Sequence, residues 1–249
     1  MDISTTIDKR TVPSSERSTL GNAGPDCPLC PREMLIYDYG VDNWNIGSGF
    51  GHFALRVENV YKTVDSIQAA GGEVSRAAGP VKGGDRIIAF VNDPTGYKWE
   101  IIGSQGKSIP EPIAQVMLRV RDLDRSIKFY TEALGTQLLR KKDNPEYKYT
   151  VAFLAYGPEE GNVVFELTYN WGQDEYEFFL GGTYEHVAIS TNDVFMTAEE
   201  IRSLGYEVTK EPGPNEWGGG PKTTESVDPD GWKVVFVDKQ DFLAELQEP

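Results

Sequence analysis

The stretch Gly51–Val60, reading G-H-F-A-L-R-V-E-N-V, decides the fold because it returns later in the same chain. It reappears at Glu185–Val194 as E-H-V-A-I-S-T-N-D-V, which places His52 over His186 at an offset of 134. A more distant copy, A-Q-V-M-L-R-V-R-D-L-D, begins at Ala114 and brings Gln115 to the same position. Repetition of this length defines the folding unit, and we call the copies the first, middle and last repeat in chain order.

Each repeat reads as one strand, one helix and three further strands. The strand that opens the first repeat alternates apolar and polar residues, as expected of a half-buried strand. Val60, Val64 and Ile67 then follow at helical spacing. Turn signals such as the D-P-T-G of Asp93–Gly96 separate the later strands, and the D-P-D-G of Asp228–Gly231 matches it at an offset of 135. The sequence therefore predicts an α+β protein made of three complete βαβββ modules.

Composition narrows the classes of protein. The chain has 249 residues, enough for one large or two ordinary domains, and its net charge is −15 with a pI near 4.6. Clustered Lys and Arg, which binding to a phosphate backbone requires, are missing, so no nucleic-acid partner is expected. No apolar run approaches the roughly 20 residues of a membrane helix, so no membrane partner is expected either.

The first 33 residues differ from the rest. They are rich in Ser, Thr, Pro and Gly without apolar periodicity, which predicts a disordered segment over 1–33. They carry acidic residues and no apolar stretch, unlike a secretory or transit signal, so we expect a cytoplasmic location and leave an organelle open. Cys27 and Cys30 form a C-P-L-C motif that could be half a zinc site or a redox pair, but nothing nearby completes a set of four zinc ligands.

The candidate site combines polar residues from the first and last strands of two repeats. Glu100 stands between Trp99 and Ile101, and Glu166 stands between two apolar residues as well. Carboxylates in such apolar strands need a partner or a metal ion. An imidazole, two carboxylates and an amide suit a borderline divalent ion such as Zn²⁺, Ni²⁺, Co²⁺ or Mn²⁺. The predicted ligand set is His52, Glu100, Gln115 and Glu166.

Five stretches together resemble one family. They are G-F-G-H-F-A-L-R-V, D-P-T-G-Y-K-W-E-I-I, Q-V-M-L-R-V-R-D-L-D-R-S-I-K-F-Y, D-N-P-E-Y-K-Y-T and E-L-T-Y-N-W-G. They are similar to glyoxalase I (lactoylglutathione lyase), in the long two-domain plant form of the vicinal oxygen chelate superfamily. The resemblance runs from about Leu35 to the C-terminus. It implies isomerisation of the hemithioacetal of methylglyoxal and glutathione to S-D-lactoylglutathione.

The resemblance also implies roles for individual residues. Glu100 would be the base, Glu166 the second acid/base group, and His52 and Gln115 ligands only. Glu100 and Glu166 would also bind the metal ion, and a Gln among the ligands fits either nickel or zinc in this family. Arg119 and Asn170 match positions that contact glutathione. The family's Arg before the G-F-G-H run is Ser48 here, so Arg76 or Lys82 would supply that charge.

The chain departs from the family pattern in its first and last modules. Residues 34–46 resemble only the last strand of a first module, with Met34 in place of its Glu. Residues 34–106 are therefore expected to hold this remnant strand plus one module, and residues 111–249 to hold two modules. A second site around His186 would lack its Glu, which is Val235. The last module would then expose an apolar face through which the chain could associate with itself.

Two other functions stay open on the sequence. An extradiol dioxygenase of the same superfamily would use two His and one Glu on iron, and the residue at its third ligand position here is Gln115. A non-catalytic binding or scaffold protein would keep the same residues without aligning them, since about 1 Å of misplacement can cost on the order of 100-fold in rate.

Overall fold

The computed structural model describes residues 45–82, 84–109, 111–172, 184–214 and 220–247. These residues form two compact units, which are treated separately below. One unit contains all strands of the first and middle repeats, and the other contains the last repeat together with the helix of the middle repeat. The segment 1–33, the strand expected at 34–46 up to residue 44, and Cys27 and Cys30 lie outside the described residues.

The first unit is built on one eight-stranded sheet with the order β2-β3-β4-β1-β5-β8-β7-β6. In its centre β1 pairs antiparallel with β5, while β1 is parallel to β4 and β5 is parallel to β8. The repetition in the sequence thus becomes a pseudo-twofold relation about the β1–β5 pair. The strands are β1 (Phe50–Val57), β2 (Glu73–Pro80), β3 (Ile87–Asn92), β4 (Lys98–Gly103), β5 (Ile113–Arg119), β6 (Gln137–Asn144), β7 (Tyr149–Ala155) and β8 (Val164–Asn170).

Helix α1 (Val60–Ala69) determines which face of the sheet carries the polar side chains. Asn59 caps it by accepting a hydrogen bond from the Lys62 N–H at 3.0 Å. Val60 and Val64 of the helix share a buried cluster with Trp99 and Ile101 of β4. Neighbouring side chains of a strand point to opposite faces, so Glu100 faces away from α1.

Gly51 allows the close approach of β1 to β5. The register of the two strands shifts between Phe50 and His52, and His52 is then opposite Met117. A Cβ at Gly51 would lie 1.8 Å from the Met117 Sδ, so any larger residue would displace the Met117 side chain. The glycine before His52 therefore serves strand packing.

The second unit contains a four-stranded sheet with the order β10-β11-β12-β9. Its elements are α2 (Leu123–Glu132, assigned to this unit from Asp124 onward), β9 (Val187–Thr191), α3 (Val194–Ser203), β10 (Val208–Gly213), β11 (Thr223–Val227), β12 (Lys233–Asp238) and α4 (Lys239–Gln247). The prediction of three βαβββ modules is confirmed.

Equivalent contacts support the alignment of the first and last repeats. Ala188 is paired with Val235 in the last repeat as Ala54 is paired with Glu100 in the first. The D-P-x-G turns also agree, because the Asp228 carboxylate accepts the Asp230 and Trp232 N–H groups at 2.8 Å each, as Asp93 does in the first repeat. Val235 therefore occupies the position that a second metal-binding Glu would need.

Helix α4 was not predicted from the sequence. Asp238 caps it by accepting hydrogen bonds from the Gln240 and Asp241 N–H groups at 3.1 Å. Phe242 of the helix packs in one buried cluster with Ala188, Val235 and Val237. The helix thus covers part of the apolar face that the sequence led us to expect exposed.

Among the helices that the structure describes, none combines the length and the apolar character needed to cross a bilayer.

Candidate metal centre

Four consecutive strands of the eight-stranded sheet each supply one polar side chain to the same point. In the sheet order these are Glu100 on β4, His52 on β1, Gln115 on β5 and Glu166 on β8. The His52 Nε2 lies 3.4 Å from the Glu100 Oε2 and 3.9 Å from the Glu166 Oε2. The Gln115 Nε2 lies 3.5 Å from the His52 Nε2. The structure therefore brings together all four residues that the sequence singled out.

The amide of Gln115 joins the two carboxylates. Its Nε2 donates to the Glu100 Oε2 at 3.2 Å and also to the Glu166 Oε2. His52, Glu100 and Gln115 are at most 9% exposed, and the side chain of Glu166 is 14% exposed. Two carboxylates are thus held close together in a largely water-free place, where repulsion between like charges is only weakly screened.

The environment makes Glu166 a weak acid. The pKa of its carboxyl is raised to about 7, chiefly by burial; the nearby Glu100 acts in the same direction, while His52 and Arg140 oppose the shift. Burial and the neighbouring Glu100 disfavour the ionised form of Glu166, whereas His52 and Arg140 favour it. A carboxylate of this kind needs a compensating positive charge to stay ionised at neutral pH.

The donor set fits a borderline divalent cation. Of the described His, Cys, Asp and Glu side chains, only those of His52, Glu100 and Glu166 form a group of three with ligand atoms within 4.8 Å of one another. One imidazole nitrogen and two carboxylate oxygens suit Zn²⁺, Ni²⁺, Co²⁺ or Mn²⁺ better than Mg²⁺ or Ca²⁺, which prefer oxygen alone. A half-turn of the Gln115 amide exchanges its Nε2 and Oε1 atoms. Gln115 can therefore offer its Oε1 to the same ion as a further ligand.

Two contacts around the centre have no counterpart in the sequence argument. The ring of Phe90 meets the His52 ring edge to face at 5.4 Å. The guanidinium carbon of Arg140 lies 3.2 Å from the centre of the Phe153 ring, and Phe153 is the register partner of Glu166. Phe90 is the register partner of Glu100 just as Phe153 is that of Glu166, so the two phenylalanines are equivalent in the first and middle repeats. The sequence argument missed them because it followed only the polar residues of the first and last strands.

The residues predicted to contact glutathione lie at the ends of two neighbouring strands. Arg119 closes β5 and Asn170 closes β8. The Arg119 Nη1 donates to the main-chain oxygens of Ser48 and Phe50 at 3.1 and 3.0 Å.

The two alternative sources of positive charge are both engaged on the protein. Arg76 donates to the Pro80 oxygen at 3.1 Å. Lys82 forms an ion pair with Glu146. Neither contact tests the expected role in binding a carboxylate, which stays a prediction.

His186 lies apart from this chemistry. Its Nδ1 is 3.8 Å from the Glu185 Oε2. Within the described ranges no third possible ligand joins this pair.

The geometry predicts that the two histidines differ in their effect on metal binding. Adding Ni²⁺, Co²⁺ or Zn²⁺ to the metal-free chain should raise its melting temperature, since a ligand at 100 times its Kd stabilises the native state by about 2.7 kcal/mol. His52→Ala should remove most of this increase, because it deletes the only nitrogen ligand. The matched variant His186→Ala should keep it, and differential scanning calorimetry measures both. Equal losses in the two variants would contradict the assignment.

Comparison with known proteins places the chain in a family. The sequence pattern described as "Glyoxalase/Bleomycin resistance protein/Dioxygenase superfamily" matches residues 7–101 and 112–236. A "Probable lactoylglutathione lyase, chloroplastic" of Arabidopsis thaliana is 56% identical over 213 residues, which are 86% of this chain and 59% of that protein. A lactoylglutathione lyase of Oryza sativa is 52% identical over 86% of this chain and 73% of its own length.

A solved structure agrees. The crystal structure of glyoxalase I from Zea mays superposes with a TM-score of 0.82 at 52% identity, covering 88% of this chain and 78% of the maize chain. The βαβββ modules, the superposition and these identities lead to one assignment. The chain belongs to the glyoxalase/bleomycin resistance protein/dioxygenase superfamily and, within it, to the plant-type lactoylglutathione lyases, glyoxalase I.

Proposed function

We propose that this chain is a metal-dependent glyoxalase I that converts the hemithioacetal of methylglyoxal and glutathione to S-D-lactoylglutathione. The observation that supports this most is the meeting of His52, Glu100, Gln115 and Glu166 on one face of the sheet. Relatives named lactoylglutathione lyase at 52% and 56% identity support the same reaction. The chain covers 59% and 73% of the length of these two relatives, so the activity of the chain itself needs a direct test.

The reaction moves one proton between neighbouring carbons and needs no oxidant. A base removes the proton from the carbon that bears sulfur and hydroxyl, an enediolate forms, and an acid returns a proton to the adjacent carbon. The hydroxyl proton moves to the neighbouring oxygen at the same time, so that the first carbon becomes the thioester carbonyl and the second bears the new hydroxyl. Glu100 is proposed as the base and Glu166 as the second acid/base group. Both groups are carboxyl groups, which serve as general acids and bases in enzymes, and the Gln115 amide holds them close together in the centre.

The bound ion would supply the electrostatic part of catalysis. A divalent cation held by His52, Glu100, Gln115 and Glu166 would act as a Lewis acid toward the negative charge of the enediolate. The protein's own contribution is to hold its donors in a nearly dry place, where such stabilisation is stronger than in water. Phe90 and Phe153, beside His52 and Glu166, help to exclude water from the centre.

The identity of the metal ion is proposed as nickel or zinc, with cobalt and manganese as further candidates. The donor atoms are compatible with all four, since affinity follows ligand type and geometry together. We propose a cytoplasmic location, and a chloroplastic relative makes an organelle the alternative to test by imaging a fluorescent fusion.

The decisive assay is formation of lactoylglutathione by the purified chain, stripped of metal and re-supplied separately with Ni²⁺, Co²⁺, Mn²⁺ and Zn²⁺. Glu100→Gln should lower kcat at least about 10²-fold, because it removes the proposed general base. Glu225→Gln, on β11 of the other unit, is the matched control and should leave kcat unchanged. A folded wild-type chain that is inactive with every ion would favour the non-catalytic alternative.

Glutathione recognition is proposed to involve Arg119 and Asn170. Arg119→Met should raise KM about tenfold or more with a smaller change in kcat, since one charged hydrogen bond contributes about 1.5–3 kcal/mol. Asn170→Ala should act in the same direction but less strongly. Steady-state kinetics over one series of hemithioacetal concentrations measures KM and kcat for both variants. An unchanged KM in both variants would contradict this role.

Self-association through the last repeat is proposed as well. The proposed contact surface is the apolar face of the sheet in the last repeat, where Val235 replaces the Glu of the first repeat and of which α4 covers a part. Sedimentation velocity over a range of concentrations should show a reversible dimer. A single monomer peak at all concentrations would exclude it.

A further inference from the structure

Arg56 and Arg119 occupy equivalent positions in the first and middle repeats. The strand that opens each repeat ends in the same way, H-F-A-L-R up to Arg56 and Q-V-M-L-R up to Arg119. The N–H of Arg56 donates to the Pro112 oxygen at 2.7 Å, and the N–H of Arg119 donates to the Gly49 oxygen at 2.9 Å. Each arginine thus binds the chain just before the opening strand of the other repeat.

The two side chains continue this relation. The Arg56 Nη1 donates to the oxygens of Glu111 and Ile113 at 3.2 and 3.3 Å, on either side of Pro112. The Arg119 Nη1 donates to the oxygens on either side of Gly49. The pseudo-twofold relation of the sheet therefore extends to hydrogen bonds between side chain and main chain.

Arg56 also reaches a second segment of main chain. Its Nη2 donates to the Ala114 oxygen at 3.4 Å, to the Asn162 oxygen at 3.1 Å and to the Glu159 oxygen. The last two belong to the connection between β7 and β8, which spans residues 156–163. The equivalent connection between β3 and β4 is the tight turn at residues 93–97. The longer connection makes these extra contacts possible.

These carbonyl groups lie next to two proposed metal ligands. Ile113 and Ala114 immediately precede Gln115 on β5. Asn162 lies four residues before Glu166 and two before Val164, the register partner of Gln115. One half-buried guanidinium thus connects the start of the strand that carries Gln115 to the start of the strand that carries Glu166.

The connection between β7 and β8 is held from its other side too. The Glu159 carboxylate accepts a hydrogen bond from the Arg86 Nη1 at 2.9 Å and from the Arg140 Nε at 3.4 Å. The arginine fork suits such a site because its planar donors are fixed in direction, whereas a lysine would present a single ammonium. Five carbonyl contacts through two nitrogens are beyond the three donors of lysine.

We propose that Arg56 is a positioning residue of the metal centre, which sets the relative placement of Gln115 and Glu166 by binding the main chain before each of them. The link to turnover rests on the proposed function, but the link to metal binding does not. A purely structural role in folding would lower stability without a specific effect on metal affinity.

The loss of the Arg56 charge and the loss of its positioning contacts should change metal affinity in opposite directions. Removing the positive charge of Arg56 would by itself strengthen the binding of a cation, since like charges repel. Loss of positioning would weaken it, because residues that orient metal ligands typically contribute about 10–100-fold in metal affinity. Arg56→Lys keeps the charge and loses most of the carbonyl contacts, so it isolates the second effect.

The test measures Ni²⁺ and Co²⁺ affinity of metal-free Arg56→Met, Arg56→Lys and wild-type protein by titration calorimetry, together with the visible absorption spectrum of bound Co²⁺. Both variants should bind each ion about tenfold or more weakly and shift the Co²⁺ spectrum. Ile201→Ala, on the buried face of α3 in the other unit, is the control for lost stability and should keep metal affinity within about twofold.

Each result decides the proposal. Unchanged or tighter metal binding in both Arg56 variants would overturn it, as would an equal loss of affinity in Ile201→Ala. If Arg56→Met does not fold, Arg56→Lys carries the same comparison. If the wild-type chain is inactive but the Arg56 variants still bind metal more weakly than it does, the proposed function is refuted and the positioning role stands.

Discussion

The antiparallel pairing of β1 with β5 is the contact on which the site depends. It sets His52 beside Met117 and Ala54 beside Gln115, and so brings the polar residues of two repeats to one face. The parallel neighbours β4 and β8 then add Glu100 and Glu166 from either side. Hydrogen bonds of the strand ladder, which fix register to a single residue, thereby fix the spacing of four side chains that are up to 114 residues apart in the chain.

Packing on the other face of the sheet keeps these four side chains together in a buried place. Trp99 and Ile101 belong to the core beneath α1, so Glu100 cannot turn away from the site without giving up that packing. Two buried carboxylates that share one amide donor form an arrangement that is unfavourable alone and favourable around a cation. The protein core thus maintains a set of ligands for an ion, and the raised pKa of Glu166 is a consequence of the same burial.

The last repeat shows how small a change removes such a site. Its fold is the same, its D-P-x-G turn has the same hydrogen bonds, and Val235 stands in register with Ala188 as Glu100 stands with Ala54. An apolar residue at the position of the Glu leaves no carboxylate for an ion, and Phe242 of α4 packs against that same valine. The same module therefore supplies half of a candidate metal centre in one part of the chain and an apolar core in another.

The sequence by itself determined the module, its three copies and the four ligand candidates, because periodicity and repeated positions are local properties of the chain. The polar residues inside apolar strands at Glu100 and Glu166 were informative for the same reason. Helix α4 begins at the Asp238 cap, a local signal that the sequence argument overlooked. The Arg140–Phe153 contact and the five carbonyl contacts of Arg56, in contrast, were decided only by tertiary structure. Each depends on which strands become neighbours and on how far a connecting segment such as residues 156–163 reaches, and these are relations between distant parts of the chain that no local pattern records.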